Sequence, residues 1–553
     1  MSIKDETSEL ENVETYDPST TTTTTKHHLL DLQRAATNES IHQQHEIELN
    51  IDVDVEHEGV ILEDEAPDLS LSNIAYYFLR RVPTLFQFHF KNASSLNPIP
   101  NLREMTLSNW NYFALGWLSW FSAAFDFFLT AVAGTQIAAS LNVSTADITW
   151  GLSAVLMLRS CGAVIFGVWT DNYSRKWPFI FCAFMFLALQ IGTGFCTNFH
   201  QFLAVRALSG VAMGGTYGTS STCCLDDAPV KARSFLSGLL FTAYPLSFVF
   251  AAIFWRAFES LDTKTWQSLF WFSSFIPALI IVWRLFFPET KYFERLLKAK
   301  EIIKQEQIEA GTYIKPTFMT RLSNLKGMAN KHWLMFIYLV LLLAFSNYLT
   351  HASEDLYPTM LRKQLGLSEN KLTVIIVITN LGGVLGSLVS GSAMEVIGRR
   401  NALLYSAIIA GVMTYPAYML QSDAALFAGG FFLFFGVNGV WGALPIHLSE
   451  LSPPEARALV SGLAYQLGNL ASAASSTIET RLADQWPLYD PDGKFISDDY
   501  AKVMCVLTGA VCIYGVVTVL VGPEKFHRNL SSPVMNKYLQ KVIEREENEK
   551  SQA

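Results

Sequence analysis

Charged residues inside long apolar stretches are the first place to look for chemistry, because each costs about 2.5–3.5 kcal/mol to insert at the centre of a bilayer. Asp126 lies fourteen residues into an apolar block that begins near 112, and Arg159 twelve residues into the next. If these blocks are spanning helices, both side chains fall near the midplane. A guanidinium presents a fixed fork of donors that matches a carboxylate. Two readings follow: Arg159 anchors an anionic ligand, or it pairs with Asp126 as a structural ion pair. Arg206, in the run RALSGVAMGG, sits about a turn inside the end of its block and reads as structural or coupling.

The run NYLTHASEDLYPT, from Asn347 to Thr359, carries the densest polar pattern. Asn347, His351, Asp355 and Thr359 are spaced four apart, so on a helix they form one stripe. The first three cover about 12 Å of helix axis, from near the midplane outward. Histidine titrates close to neutral pH and an adjacent aspartate can tune it. The stripe is therefore a proton-responsive pair, or simply a helix end facing water. Gln466 and Asn469 are three apart on a later block, so they share a face and offer neutral donors. They serve a ligand or a helix-packing hydrogen bond.

Composition restricts the classes of function. Half of the 553 residues are hydrophobic and 16% are charged, against about a quarter in soluble domains. The net charge of −9 arises mostly in the acidic segment 1–70, and no basic nucleic-acid face is visible. Seven cysteines include no CxxC pair; Cys161, Cys182, Cys505 and Cys512 read as small buried hydrophobes. No nucleophile–base set, phosphate loop or metal cluster appears. The chain is thus expected not to be an enzyme, and to hold neither cofactor nor metal.

Twelve apolar stretches, from about 112–138 to 502–522, are each long enough to cross a bilayer. Within hydrocarbon each must be a helix, since free backbone amides find no water there. Arg175 with Lys176, Lys231 with Arg233, Arg399 with Arg400, and the basic 289–331 segment all fall on one side. That side is expected to be the cytoplasm, with both termini there. No cleavable leader is expected before the first span, which would act as the targeting signal.

The two halves repeat at one constant offset. Asp171, Arg175 and Lys176 in GVWTDNYSRK correspond to Glu395, Arg399 and Arg400 in GSAMEVIGRR. Arg233 and Gly238 stand at that same offset from Arg457 and Gly462. This doubled pattern resembles the signature loops of the major facilitator superfamily, in which two six-helix halves rock about a midplane site. The expected fold is an all-α polytopic membrane protein of twelve helices in two pseudo-symmetric halves. Its parts are a largely disordered tail (1–100), a first half (101–288), a central loop (289–331) with a surface helix, a second half (332–522) and a tail (523–553). In this frame Asp171, Arg175, Glu395 and Arg399 serve conformational switching. Residues 70–92, aromatic beside Arg80 and Arg81, are expected along the membrane surface.

The Asn347–Thr359 run also resembles the motif N-x-x-[S/T]-H-x-[S/T]-Q-D-x-x-x-T of the fungal Jen-type carboxylate permeases, in the sialate:proton symporter branch. It matches at Asn347, Thr350, His351, Ser353, Asp355 and Thr359, and departs at Glu354, where the motif has glutamine. The segments around Arg159 and around Gln466 and Asn469 are similar to that family as well. The resemblance implies a plasma-membrane, proton-coupled symporter for lactate, pyruvate, acetate or propionate. It places Arg159, Asn347, His351, Asp355, Gln466 and Asn469 on the path, and makes Phe241 and Thr242, in FTAY, a selectivity position. His351, Asp355 and Asp126 are the expected proton-coupling groups, with Asp126 balancing Arg159 until substrate arrives.

Glu354 leaves a dicarboxylate such as succinate or malate as the alternative substrate. A sugar porter and a non-transporting nutrient sensor are more remote alternatives. The expected partners are a small carboxylate, the proton and the lipid bilayer. Ubiquitin-ligase or adaptor contacts would run through the tails, where Lys525, Lys537, Lys541 and Lys550 are candidates for modification.

Overall fold

A computed structural model describes residues 71–89, 96–259, 265–311, 318–453, 457–489, 491–526 and 533–552. The acidic 1–70 segment, with its expected disorder, lies outside the described residues.

Every one of the twelve apolar stretches is helical. The first half comprises Leu107–Leu141, Thr145–Asn172, Lys176–Gly194, Phe199–Leu225, Arg233–Phe241 continued by Ala243–Glu259, and Thr265–Ser273 continued by Phe275–Phe286. The second comprises Phe318–Glu354, Glu369–Ile397, Arg399–Tyr418, Ala425–Gly429 continued by Gly430–Leu451, Arg457–Ser472 continued by Ser475–Ala483, and Tyr500–Val521. Eight of these helices are both long and apolar enough to cross a membrane on their own composition. The second span is apolar over Ala154–Thr170, whereas the fourth, ninth and eleventh fall short of that measure because they carry polar and small residues. Those of the fourth span point inward: Thr216, Thr219, Ser220 and Arg206 are all buried.

Local sequence explains the starts and the close contacts. The second span begins at Ser144, whose hydroxyl accepts from the Asp147 amide while the Asp147 carboxylate accepts from the Ser144 amide, a reciprocal cap. The second and fourth spans pack backbone to backbone because Gly214 faces Arg159. A Cβ on Gly214 would collide with the Arg159 carbonyl oxygen, so this is a small-residue contact of the kind that lets membrane helices approach. Packing of this kind fixes where Arg159 emerges.

The surroundings of the bundle differ in part from expectation. Leu71–Thr84 is a helix; its Tyr77 hydroxyl donates to the Val521 carbonyl at 2.9 Å, and Arg400 donates to Thr84 Oγ1 at 2.7 Å. It therefore docks on the ends of second-half helices while leaving Leu71 and Leu79 exposed. The central segment forms the expected surface helix, Lys291–Glu309. The rear tail is not the plain tail expected, because Pro533–Gln552 is helical. It packs Leu539 and Val542 on Ala299 of the central helix. The loop before the last span adds a short antiparallel hairpin, Pro487–Tyr489 with Phe495–Asp498. Six of the seven cysteines are buried or half-buried; Cys161 is the exception and is exposed.

Candidate functional site

A small cavity lies between the halves, lined by Trp120, Arg159, Phe241, Tyr244, Asn347, Thr350, His351, Trp441, Tyr465 and Asn469. It draws together expected residues from four spans: Arg159 from the second, Phe241 from the fifth, Asn347 and His351 from the seventh, and Asn469 from the eleventh.

Arg159 is 4% exposed. Its Nη1 donates to Asn469 Oδ1 at 3.1 Å across the interface between halves, and its Nη2 approaches the Met213 thioether. The Phe127 ring lies 5.4 Å from the guanidinium carbon. Nε has no hydrogen-bond partner, and no carboxylate pairs with this cation among the described residues.

The expected Arg159–Asp126 pair is corrected here. Asp126 instead pairs with Arg206, with Nη1 2.8 Å from Oδ2 and 3.1 Å from Oδ1. The two are buried, at 2% and 0% exposure. The reason is packing: the first and fourth spans are neighbours in the first half, and their pair closes within it. Asp126 is thus a structural counter-ion to Arg206 and does not balance Arg159.

Of the polar stripe, His351 and Asp355 meet, while the helix itself ends at Glu354, before Thr359. His351 Nδ1 lies 3.1 Å from Asp355 Oδ2 and 3.2 Å from Oδ1. The His351 side chain is nearly buried, whereas that of Asp355 is 19% exposed. Asn347 donates its side-chain amide to the Leu343 carbonyl at 2.8 Å. Gln466 sits beside the cavity, its Oε1 accepting from Asn469 Nδ2 at 3.3 Å, so it braces Asn469. Thr242 does not line the cavity: its hydroxyl donates to the Leu239 carbonyl at 2.7 Å and accepts from Trp117 Nε1 at 3.1 Å. It shapes the break in the fifth span that turns Phe241 inward.

Glu354 is not at a water-facing mouth. It is 3% exposed, its Oε1 accepts from Asn438 Nδ2 at 3.5 Å, and Oε2 has no partner. A second carboxyl escaped the reading of the sequence. Glu479, on the eleventh span, is 0% exposed with neither oxygen hydrogen-bonded. The available signal was its position: a lone acid at the end of a run of small residues, ASAASSTIE. The aromatic lining also went unread, since aromatic residues are common in every span.

At the inner ends the repeated loops make matching clamps. Arg175 pairs with Asp226 at 3.2 Å, and Arg399 pairs with Glu450 at 3.0 Å. Asp226 and Glu450 stand at the same offset as Arg175 and Arg399, so the pair recurs in both halves. Arg399 also holds Glu395 at 3.0 Å. Glu395 accepts from the Ser234 hydroxyl of the other half. The backbones of Gly238 and Gly391 touch beside it, where a Cβ on Gly391 would stand 2.9 Å from the Gly238 Cα. Asp171 ends the second span, but its side chain lies outside the described residues.

Twelve inward-packed helices in two repeated halves, with a polar chamber between them, define a membrane transporter of the major facilitator fold. The chain belongs to the sugar (and other) transporter family, whose model matches residues 96–530. It is 53% identical to the carboxylic acid transporter protein homolog of Saccharomyces cerevisiae over 488 residues, covering 88% of this chain and 79% of that protein. It is 24% identical to the sialic acid transporter NanX of Escherichia coli, covering 67% of this chain and 87% of that one. Among solved structures, the proton:xylose symporter XylE matches with a TM-score of 0.59 at 14% identity, covering 79% of this chain and 99% of that one. The human organic anion transporter MFSD10 matches at 0.54 and 15% identity, covering 75% and 100%.

Proposed function

We propose that this protein is a proton-coupled symporter that imports short monocarboxylates, such as lactate, pyruvate, acetate or propionate, across the plasma membrane with both termini in the cytoplasm. The observation that carries the reading is Arg159: a buried guanidinium in the chamber wall, hydrogen-bonded to a neutral amide, with no carboxylate partner among the described residues. An unpaired buried cation is costly, and an anionic ligand supplies the missing charge and bidentate acceptor at once. The similarity to a carboxylic acid transporter homologue supports the same class.

Among the described residues, Arg159 is the one guanidinium or ammonium lining the chamber, which matches a single carboxylate better than two. That supports the monocarboxylate over the dicarboxylate. A neutral sugar would leave the cation uncompensated. In this reading Asn469, braced by Gln466, and Asn347 orient the substrate's second oxygen or its hydroxyl or keto group. Phe241 limits its size. His351 and Asp355 take up the proton on the outer side, and Asp171, Arg175, Glu395 and Arg399, at the inner loops, govern switching between facings.

Labelled lactate uptake into vesicles, with an imposed acidic exterior, tests the proposal. The expected result is concentrative uptake that collapses when the pH gradient is dissipated. Accumulation of a neutral hexose in place of lactate, or no transport of either, would reject it.

A further inference from the structure

Four buried aromatic side chains meet at the chamber wall, one from each of four spans: Tyr217 from the fourth, Phe241 from the fifth, Trp441 from the tenth and Tyr465 from the eleventh. The offset that relates the two halves carries Tyr217 onto Trp441 and Phe241 onto Tyr465. The contacts obey it too. Tyr217 stacks on Tyr465 with ring centroids 4.4 Å apart and planes at 17°. The mates of these residues, Trp441 and Phe241, stack at 5.1 Å and 14°. Within the halves, Tyr217 meets Phe241 at 6.2 Å and Trp441 meets Tyr465 at 5.6 Å. Each stacked pair joins one half to the other, and the contacts inside a half are tilted or edge-on.

Cavities lie on both sides of this ring. Phe241, Trp441 and Tyr465 line the chamber. Tyr217 lines a second cavity with Thr222, Asp226, Arg233, Pro445 and Ser449, which runs to the inner loops. The Tyr217–Tyr465 stack therefore has the chamber on one face and this inner cavity on the other. Trp441 Nε1 donates to Thr350 Oγ1 at 2.7 Å, tying the ring to the helix that carries Asn347 and His351.

We infer that Tyr217, Phe241, Trp441 and Tyr465 form a pseudo-twofold aromatic gate, the floor on which the substrate rests and the seal that parts to release it inward. Rocking of one half against the other must slide both stacks together, because one operation relates them. Aromatic stacking suits this use: its contacts are non-covalent, individually weak and tolerant of sliding. The inference rests on the transport reading but not on which acid is carried.

The test uses the full chain without any substrate, so a wrong substrate assignment does not affect it. A cysteine introduced by Asn347→Cys is labelled with a membrane-impermeant maleimide, from the outer or the inner side of oriented vesicles. Labelling is counted against the chain without that change, which cancels the seven native cysteines. Tyr465→Ala and its mate Phe241→Ala should each raise inner-side labelling at least tenfold and agree within threefold, with outer-side labelling within twofold of the parent. Unchanged inner labelling, an equal rise on both sides, or mates that disagree would overturn the gate. If the alanine chains do not reach the membrane, Tyr465→Leu and Phe241→Leu decide it, with at least a threefold inner-side rise required.

Discussion

Arg206 and Asp126, 80 positions apart in the chain, close a buried ion pair at 2.8 Å within the first half. With Asp126 engaged by Arg206, it does not pair with Arg159, as the proposed role of Arg159 requires. Breaking a buried pair leaves one charge uncompensated, at a cost of about 3–5 kcal/mol. Asp126→Asn should therefore cut thermal stability in detergent sharply. The double change Asp126→Asn with Arg206→Met should recover most of it. A single variant as stable as the parent would show that the pair is dispensable.

Arg159 answers to a different measurement. Arg159→Lys keeps the charge but loses the planar fork. A hydrogen bond to a charged group contributes about 1.5–3 kcal/mol, so uptake efficiency should fall by roughly 10- to 150-fold at normal expression. Arg159→Gln should lose transport altogether. Lactate imported by the glutamine variant at parental rate and affinity would place the anchor elsewhere.

Glu395 links the inner clamp to the opposite half through Ser234, beside the touching Gly238 and Gly391. Removing its charge should ease opening there without touching the chamber. We expect Glu395→Gln, and Asp171→Asn at the equivalent position, to slow turnover several-fold. Substrate protection of an outer-facing thiol should persist at unchanged concentration. A large loss of equilibrium affinity would assign these residues to binding instead.

Much of this arrangement was legible in the sequence, for physical reasons that differ by residue. Spans show because a bilayer demands a run of fixed length. His351 and Asp355 show because neighbours four apart on a helix must meet. The partner of Asp126 does not show, since depth alone leaves Arg159 and Arg206 both in reach and helix packing decides. Glu479 was hidden by its small neighbours. The rear helix was hidden by its charge: Pro533–Gln552 buries only a narrow stripe, against Ala299 of another surface helix.

That helix pair yields a pH prediction. The Tyr538 hydroxyl bonded to Glu306, with Lys541 nearby, holds that carboxyl below the ordinary glutamate value of 4.5. Lys298 and then Arg295 do the same for Glu546. A depressed acid stabilises its contact above the unfolded value, and the gain is lost only as pH falls through the lowered one. The contact should thus be constant from about pH 5 to 8. Spin labels on the two helices should keep one distance distribution across that range. Separation near pH 6 would instead implicate the tail in the pH response of transport.

In the proposed symport, the pH response of transport belongs to the chamber. A monocarboxylate entering against a negative interior costs about 2.3 kcal/mol per 100 mV. One accompanying proton cancels that term and adds about 1.36 kcal/mol for each unit of external acidity. The load must be held by a group whose proton affinity depends on occupancy and facing. Among the described residues, His351 both lines the chamber and touches a carboxylate, Asp355, at 3.1 Å. Substrate bound at Arg159 would bring its negative charge to the chamber that His351 also lines. His351→Ala and Asp355→Asn should therefore abolish accumulation driven by an acidic exterior. Exchange of labelled for unlabelled lactate at equal pH should fall less, because it needs no net proton movement. Glu354 and Glu479, buried with no cation paired to them among the described residues, provide the internal comparison. Glu354→Gln restores the residue of the Jen-type motif and should keep acid-driven accumulation within about threefold, since a change of about 1.36 kcal/mol already means tenfold. If the Asp355 and His351 variants accumulate lactate with the parental pH dependence while Glu354→Gln or Glu479→Gln does not, the proton travels on the buried glutamates instead.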